Sequence, residues 1–238
     1  MNRCVIIGGA AIEDYETLRR YLQTEDHCFY CDSGLRHQEG LGAAPYLIIG
    51  DFDSWEKPVG QKQIRIPESE AMSFHLKENG GIFPECTDPE MEDTEVIVLP
   101  HKKDDTDTVY AVKEALRRGY REFLMFGVTG QRLDHTLVNV YTLFMIQEQG
   151  GHGLIAADDS EMEIVGAEKV FISDQFSYFS LISIAGTARH VNIRHAMFEL
   201  TDAEICSSYQ YGCSNEVVPG EKAWVSVGEG TLLLLRIR

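Results

Sequence analysis

A series of short apolar runs, each stopped by a polar or glycine-bearing turn, most limits the folds open to this chain. Val5–Ile7, Cys28–Cys31, Tyr46–Ile49, Val96–Leu99 and Phe123–Phe126 are too short for core helices and rich in β-branched and aromatic residues, so they read as buried strands. Helical stretches alternate with them at Tyr15–Gln23, Thr108–Arg118 and Leu137–Gln149, and Thr106 or Asp107 suits the cap of the second. That alternation predicts an α/β fold with a doubly wound, mostly parallel sheet. After Gly150-Gly151 the pattern changes to β-type runs at Leu154–Ala156, Met162–Val165, Phe176–Ile184, Ala188–Ile193, Ala223–Val227 and Thr231–Ile237. Gly220, Gly228 and Gly230 supply turn signals there. The expected organisation is an α/β domain over residues 1–152 and a smaller all-β sandwich or barrel over 153–238. Pro67–Asp93, with its prolines, acids and Gly80-Gly81, reads as a surface loop without chemistry of its own.

Composition narrows the partners. The 238 residues carry a formal net charge of −17, and no basic stripe exists to displace counterions from a nucleic acid, so a nucleic-acid binder is excluded. A phosphate-bearing substrate would need metal ions and a few local Lys or Arg to neutralise it. The N-terminus Met1-Asn2-Arg3-Cys4-Val5 enters a strand at once and has no signal-peptide pattern. No stretch approaches the roughly 18 apolar residues of a membrane span, and the expected location is the cytoplasm. The six cysteines then read as reduced thiols. Cys28 and Cys31 have zinc-knuckle spacing, but a three-residue offset on a strand turns the thiols to opposite faces, and no second pair matches them.

Two acidic clusters stand where an open parallel sheet binds ligands, at the carboxyl ends of strands. Gly50-Asp51-Phe52-Asp53-Ser54 follows Tyr46–Ile49, and Lys103-Asp104-Asp105-Thr106-Asp107-Thr108 follows Val96–Leu99. Carboxylates crowded at one edge repel one another unless a cation lies between them, and oxygen-only donors favour a hard ion such as Mg²⁺. Asp51 and Asp53 are two apart, so a strand end presents both on one side. Taken alone, Asp104, Asp105 and Asp107 would be a solvated helix start favoured by the macrodipole. The neighbouring cluster makes them part of one site, with Lys103 free to meet phosphate.

Three further segments fit that edge. Gly127-Val128-Thr129-Gly130-Gln131-Arg132-Leu133-Asp134-His135 joins a strand to a helix, and its glycines would let backbone amides approach a phosphate while Arg132 takes up phosphoryl charge. No Gly-Lys-Ser or Gly-Lys-Thr follows, so it is not a Walker loop, and a dinucleotide fingerprint is absent too. Asp32-Ser33-Gly34 is a polar turn suited to a ribose or substrate hydroxyl, and Gly212-Cys213-Ser214-Asn215-Glu216 a polar turn able to hydrogen-bond a heterocycle. His135, His190 and His195 lack metal-ligand spacing and are left unassigned.

In this order the segments resemble the thiamine pyrophosphokinase family, bacterial type. Gly50-Asp51-Phe52-Asp53-Ser54 is similar to its Gly-Asp-x-Asp-Ser, Lys103–Asp107 to its Lys-Asp-x-Thr-Asp, Gly130–His135 to its Gly-x-Arg-x-Asp-His and Ser214-Asn215-Glu216 to its Ser-Asn-Glu. The match runs from about residue 30 to the C-terminus. Asp32-Ser33-Gly34-Leu35-Arg36 departs from the usual Asp-Gly-Gly-Ala-Asn, and Pro67–Asp93 is longer than the family needs. The resemblance implies transfer of pyrophosphate from ATP to the hydroxyl of thiamine, giving thiamine pyrophosphate and AMP. It also implies a homodimer with active sites between one subunit's α/β domain and the other's β-domain. Carried onto this chain, it makes Asp51, Asp53 and Asp107 the metal ligands, and Asp104 a support for the metal or a group acting on the attacking hydroxyl. Arg132 would lie against phosphate with Asp134 orienting it. Asp32, Lys103, Thr106 and Gly130 would bind ATP, and Ser214 and Asn215 the thiamine pyrimidine. Two rival readings are a Mg²⁺-dependent phosphohydrolase with Asp51 as nucleophile, and a thiamine- or nucleotide-binding protein without turnover.

Overall fold

The computed structural model describes residues 2–53, 63–68, 94–130 and 132–238. Ser54, Gln131 and all but the first two residues of the Pro67–Asp93 stretch lie outside the described residues. The chain divides into two compact units, Met1–Gly153 and Leu154–Arg238.

In the first unit, strands β1 (Cys4–Ile7), β2 (His27–Cys31), β3 (Pro45–Gly50), β4 (Gln63–Arg65), β5 (Glu95–Val98) and β6 (Glu122–Phe126) stand in the order β6-β1-β2-β3-β5-β4. Every described pair among them is parallel. The doubly wound, mostly parallel sheet expected from the apolar runs is thus observed. Val5, Ile6, Ile7, Phe29, Leu47, Ile49, Leu124 and Met125 have no exposed surface, which is why these strands read as unbroken apolar runs. The strand order reverses between β1 and β6, which makes a topological switch point at the carboxyl edge. β4, a three-residue edge strand with one apolar residue, carries too little pattern to be seen in sequence.

Helix α1 (Tyr15–Arg19) starts at Asp14, whose carboxylate accepts from Thr17 N, and it is shorter than the Tyr15–Gln23 expected. Asp32-Ser33-Gly34 is not a simple turn. It opens a 3₁₀ segment, Asp32–His37, that runs directly into α2 (Gln38–Leu41). Helix α3 (Asp107–Arg117) is capped by Thr106, whose hydroxyl accepts from Val109 N at 3.3 Å. Helix α4 (Leu133–Glu148) begins four residues earlier than its apolar periodicity suggested, so Leu133, Asp134 and His135 form its first turn. Gly150 N donates to Gln147 O and Gly151 N to Ile146 O, which closes α4 where the sequence pattern broke.

The second unit is all β. β7 (His152–Ala156), β8 (Ser160–Val165), β10 (Tyr178–Ile182) and β14 (Leu232–Ile237) pair antiparallel in the order β10-β14-β8-β7. A four-stranded sheet, β12-β11-β13-β9, contains β9 (Val170–Ser173), β11 (Thr187–Arg194), β12 (Leu200–Cys206) and β13 (Lys222–Ser226). Val165, Phe179, Leu181 and Leu234 from the first group meet Ile172, Val191, Ile205 and Val225 from the second in one core, a sandwich. β9 and β12 escaped the sequence reading. In β12, Leu200-Thr-Asp-Ala-Glu-Ile-Cys206, polar residues interrupt the apolar face. β8 buries Glu161 and Glu163, and Arg236 of β14 neutralises both at 2.9 and 2.5 Å.

Candidate active site

Register brings the two acidic clusters together. β3 and β5 pair with Gly50 opposite Val98, and Leu99 N donates to Gly50 O at 2.9 Å, so the chain leaves both strands side by side. Gly50 is required there, because a Cβ on it would stand 2.9 Å from the Asp32 Cβ at the end of β2. Asp32, Asp51, Asp53, Lys103 and Asp107 therefore share one corner of the carboxyl edge.

Lys103 links two of these acids. Its ammonium donates to Asp51 Oδ2 at 2.5 Å and lies 3.1 Å from Asp107 Oδ1, with its side chain 8% exposed. Burial alone would push the Asp51 carboxyl up, but the Lys103 hydrogen bond and charge hold it below the ordinary carboxylate range. Burial opposes charge on Lys103 as well, yet Asp51 and Asp107 raise its pKa. Asp107 differs: burial dominates, the negative charges of Asp51 and Asp32 add to it, and its pKa rises to about 6 despite Lys103. Asp32 is 7% exposed and also shifted upward, first by burial and then by Asp51 and Asp53. Its Oδ1 is buried with no hydrogen-bond partner among the described residues. Such an orphaned oxygen among carboxylates fits a bound cation or a donor hydroxyl.

Among the described residues, the donor atoms that approach one another as metal ligands do are those of Asp51, Asp53 and His101, all within 4.8 Å. Asp107 is turned to Lys103 instead and lies outside that group. Asp104 is exposed at the same strand end, and Asp105 is spent on an ion pair with Lys113 at 2.6 Å. The Thr106 hydroxyl is taken by the helix cap. Arg36, at the end of the Asp32-Ser33-Gly34 departure, donates to Ser33 O at 2.9 Å.

The Gly130–Asp134 segment follows β6, at the same sheet edge but three strand positions from β3, or about 14 Å at the usual interstrand spacing. Arg132 and Asp134 form an exposed bidentate pair at 2.9 and 2.7 Å. That contact with the guanidinium holds the Asp134 carboxyl far below its ordinary value. The glycines act differently from the expectation of free amides. Gly130 N donates to Thr136 Oγ1 at 3.0 Å, so that amide is already engaged. Gly127 has φ +59°, and a Cβ on it would stand 2.5 Å from Gly8 O, so this glycine serves the close packing of the turns after β1 and β6.

In the second unit Ser214 is a bend, and directly after it Asn215 bridges Phe179 and Val217 bridges Ala196. Ser214, at φ +57°, donates its N–H to Ser180 Oγ at 3.0 Å. Asn215 is 4% exposed. Its Oδ1 accepts from Phe198 N and Glu216 N at 3.0 and 2.9 Å, and its Nδ2 donates to Phe198 O at 2.7 Å. The Asn215 amide thus fastens the Met197-Phe198 loop, whose side chains are largely exposed, and has little capacity left for a ligand.

A family model described as the thiamin pyrophosphokinase catalytic domain matches residues 18–152, and one described as the thiamin pyrophosphokinase vitamin B1 binding domain matches residues 169–232. The chain belongs to the thiamin pyrophosphokinase family. A search of curated proteins returned no match. Among solved structures, thiamine pyrophosphokinase from Bacillus subtilis superposes with a TM-score of 0.74 at 19% identity, over 100% of this chain and 99% of that one. The Geobacillus thermodenitrificans protein gives 0.71 at 22%, over 100% and 98%. The yeast enzyme gives 0.63 at 12%, over 100% and 86%. As a thiamin pyrophosphokinase, the chain is an ATP-dependent pyrophosphotransferase that forms thiamine pyrophosphate and AMP.

Within the thiamin pyrophosphokinase catalytic region, His101 is the site neighbour that sequence reading passed over. It stands two residues before Lys103, with Nδ1 3.7 Å from Asp51 Oδ2. A histidine that directly follows Leu99-Pro100 at a strand's carboxyl end was the available signal. Nothing in the chain's spacing ties it to Asp51, since only strand pairing makes them neighbours.

Proposed function

We propose that the first unit binds ATP with Mg²⁺ and that the β unit binds thiamine. The observation that carries this reading is the shared corner of Asp32, Asp51, Asp53, Lys103 and Asp107 at the carboxyl edge of a parallel sheet. Asp51 and Asp53 hold the cation, and Asp107 supports it from across Lys103. Mg²⁺ bound there would neutralise the phosphates of ATP. Lys103 keeps Asp51 and Asp107 at a fixed separation. Asp32 accepts a substrate hydroxyl or shares the cation. Arg132, exposed and paired only at the surface, exchanges Asp134 for a phosphate oxygen. Thr106 and Gly130 act on the backbone, holding α3 and the turn before α4 in place. As the thiamine oxygen bonds to the β-phosphorus, the bond to the α-phosphate oxygen breaks and AMP leaves. Asp104, exposed at the same strand end, takes the hydroxyl proton. Ser214 contacts the pyrimidine, while Asn215 positions the Phe198 loop beside it.

The enzyme works as a homodimer in the cytoplasm. Leu133, Leu137, Val138 and Tyr141 leave an apolar face of α4 exposed, which a second subunit would cover. Among the described residues no helix is long and apolar enough to cross a membrane, and the described cysteines are free thiols. The test is a product assay with ATP, Mg²⁺ and thiamine. Thiamine-dependent AMP matched one for one by thiamine pyrophosphate is expected, whereas ADP or free phosphate would overturn the assignment.

A further inference from the structure

We propose that His101 adds a nitrogen donor to the cation site of Asp51 and Asp53, so that the site favours a borderline first-row ion such as Co²⁺ over Mg²⁺. The inference rests on the pyrophosphokinase reading only for its substrate, since the donor set is built by this chain's own residues. Leu99 N, bonded to Gly50 O at 2.9 Å, ends the ladder between β3 and β5, and Pro100 has no N–H to extend it. The chain then turns His101 toward Asp51. The 3.7 Å between Nδ1 and Asp51 Oδ2 is too long for a hydrogen bond. It falls between the spacings of two ligands around one ion, which at metal–ligand distances of about 2.1 Å stand roughly 3 Å apart when adjacent and about 4 Å when opposite, so a small side-chain movement brings both atoms onto one ion. The Asp53 donor completes the group within 4.8 Å.

Two observations show that this corner is built for a cation rather than being a patch of solvated acids. Asp32 packs against Gly50, and its buried Oδ1 has no hydrogen-bond partner among the described residues. Lys103 joins Asp51 to Asp107, which leaves Asp53 and His101 as the exposed flank of Asp51. Carboxylate oxygens alone would suit Mg²⁺, whereas imidazole moves preference toward ions later in the first transition row. Mg²⁺ keeps several waters and gains little from replacing one by nitrogen.

The test compares the metal-stripped full-length protein with His101→Ala and His101→Gln. Co²⁺ binding is followed by its visible absorption, and Mg²⁺ binding by calorimetry. The His101 side chain is 71% exposed, so both variants fold. Loss of the donor should weaken Co²⁺ by about tenfold or more and alter the absorption band, with Mg²⁺ affinity moving less than about twofold. Unchanged Co²⁺ affinity and an unchanged band in both variants would overturn the role of His101. Asp53→Asn separates the two levels. If it weakens both ions while His101→Ala weakens neither, the cation site stands and only the nitrogen donor falls. If Asp53→Asn also leaves both ions unaffected, the cation reading of this edge falls with it.

Discussion

The Lys103 cluster and the Arg132–Asp134 pair both set a cation against carboxylates at one edge of one sheet, yet they are opposite in kind. Lys103 and Asp51 are nearly buried, tied to different strands, and joined to an acid whose pKa reaches about 6. Arg132 and Asp134 are two residues apart and mostly exposed, and they satisfy one another. In the first case burial makes every charge depend on its neighbours, so the geometry is rigid and the protein holds unfavourable electrostatics in place. In the second, solvent screens the pair and little is lost when it opens. A phosphoryl-transfer site needs both behaviours. A fixed cluster sets the cation and the reacting atoms, while a loose cation is free to follow the transferred group.

The contrast can be broken or sharpened by experiment. Asp53→Asn should lower kcat by about 10²–10³-fold with an unchanged circular dichroism spectrum, as expected when a charge-stabilising group is lost. Near-wild-type turnover would remove Asp53 from the site. Lys103→Met leaves Asp51 and Asp107 facing each other without a counter-charge and should cost about 3 kcal/mol in denaturant unfolding at pH 7. A fully stable variant would show that the cluster is not electrostatically tight.

Asp107→Asn tests the same strain from the other side. Burial raises the folded-state pKa from 3.8 to about 6, so between those values the folded protein binds more protons than the unfolded chain and stability falls as pH rises. The metal-free variant should therefore match wild type near pH 3.5. At pH 7 it should be more stable by about 2 kcal/mol while losing activity. Equal stability at both pH values would contradict the burial of this acid. Asn215→Ala should cost about 1 kcal/mol or more, since it strands the Phe198 backbone groups, and should raise KM for thiamine more than KM for ATP. Arg132→Ala completes the comparison with the smallest structural effect. Its melting temperature should equal that of wild type while KM for ATP rises about tenfold. A drop in stability there would mean the pair is not the loose element described.

Much of this molecule was legible in sequence, for particular reasons. β1, β2, β3, β5 and β6 are buried on both faces, so their apolar runs are unbroken. The acids stand at the strand ends because charged residues cannot enter those runs. The segments that escaped notice are those whose burial depends on partners. β12 alternates imperfectly, β9 fully buries only Ile172, and the start of β8 was missed because Glu161 is tolerated inside it only where Arg236 meets it from the next strand. The site residues divide in the same way. Asp51, Asp53 and Lys103 carry a motif, whereas the capping duty of Thr106, the engaged amide of Gly130 and the full hydrogen bonding of Asn215 are visible only with their neighbours in place.

By itself the sequence determined the α/β character, the change to β structure after Gly150, and the placing of acids at strand ends, because hydrophobic periodicity and chain direction are local properties. The tertiary structure decided which ends meet. Lys103 reaches Asp51 across 52 residues, and His101 stands over the same carboxylate, because β3 pairs with β5 in one register. The burial that sets the charge states of Asp32, Asp51 and Asp107 follows from that pairing, since desolvation and Coulomb terms depend on distance through space rather than along the chain.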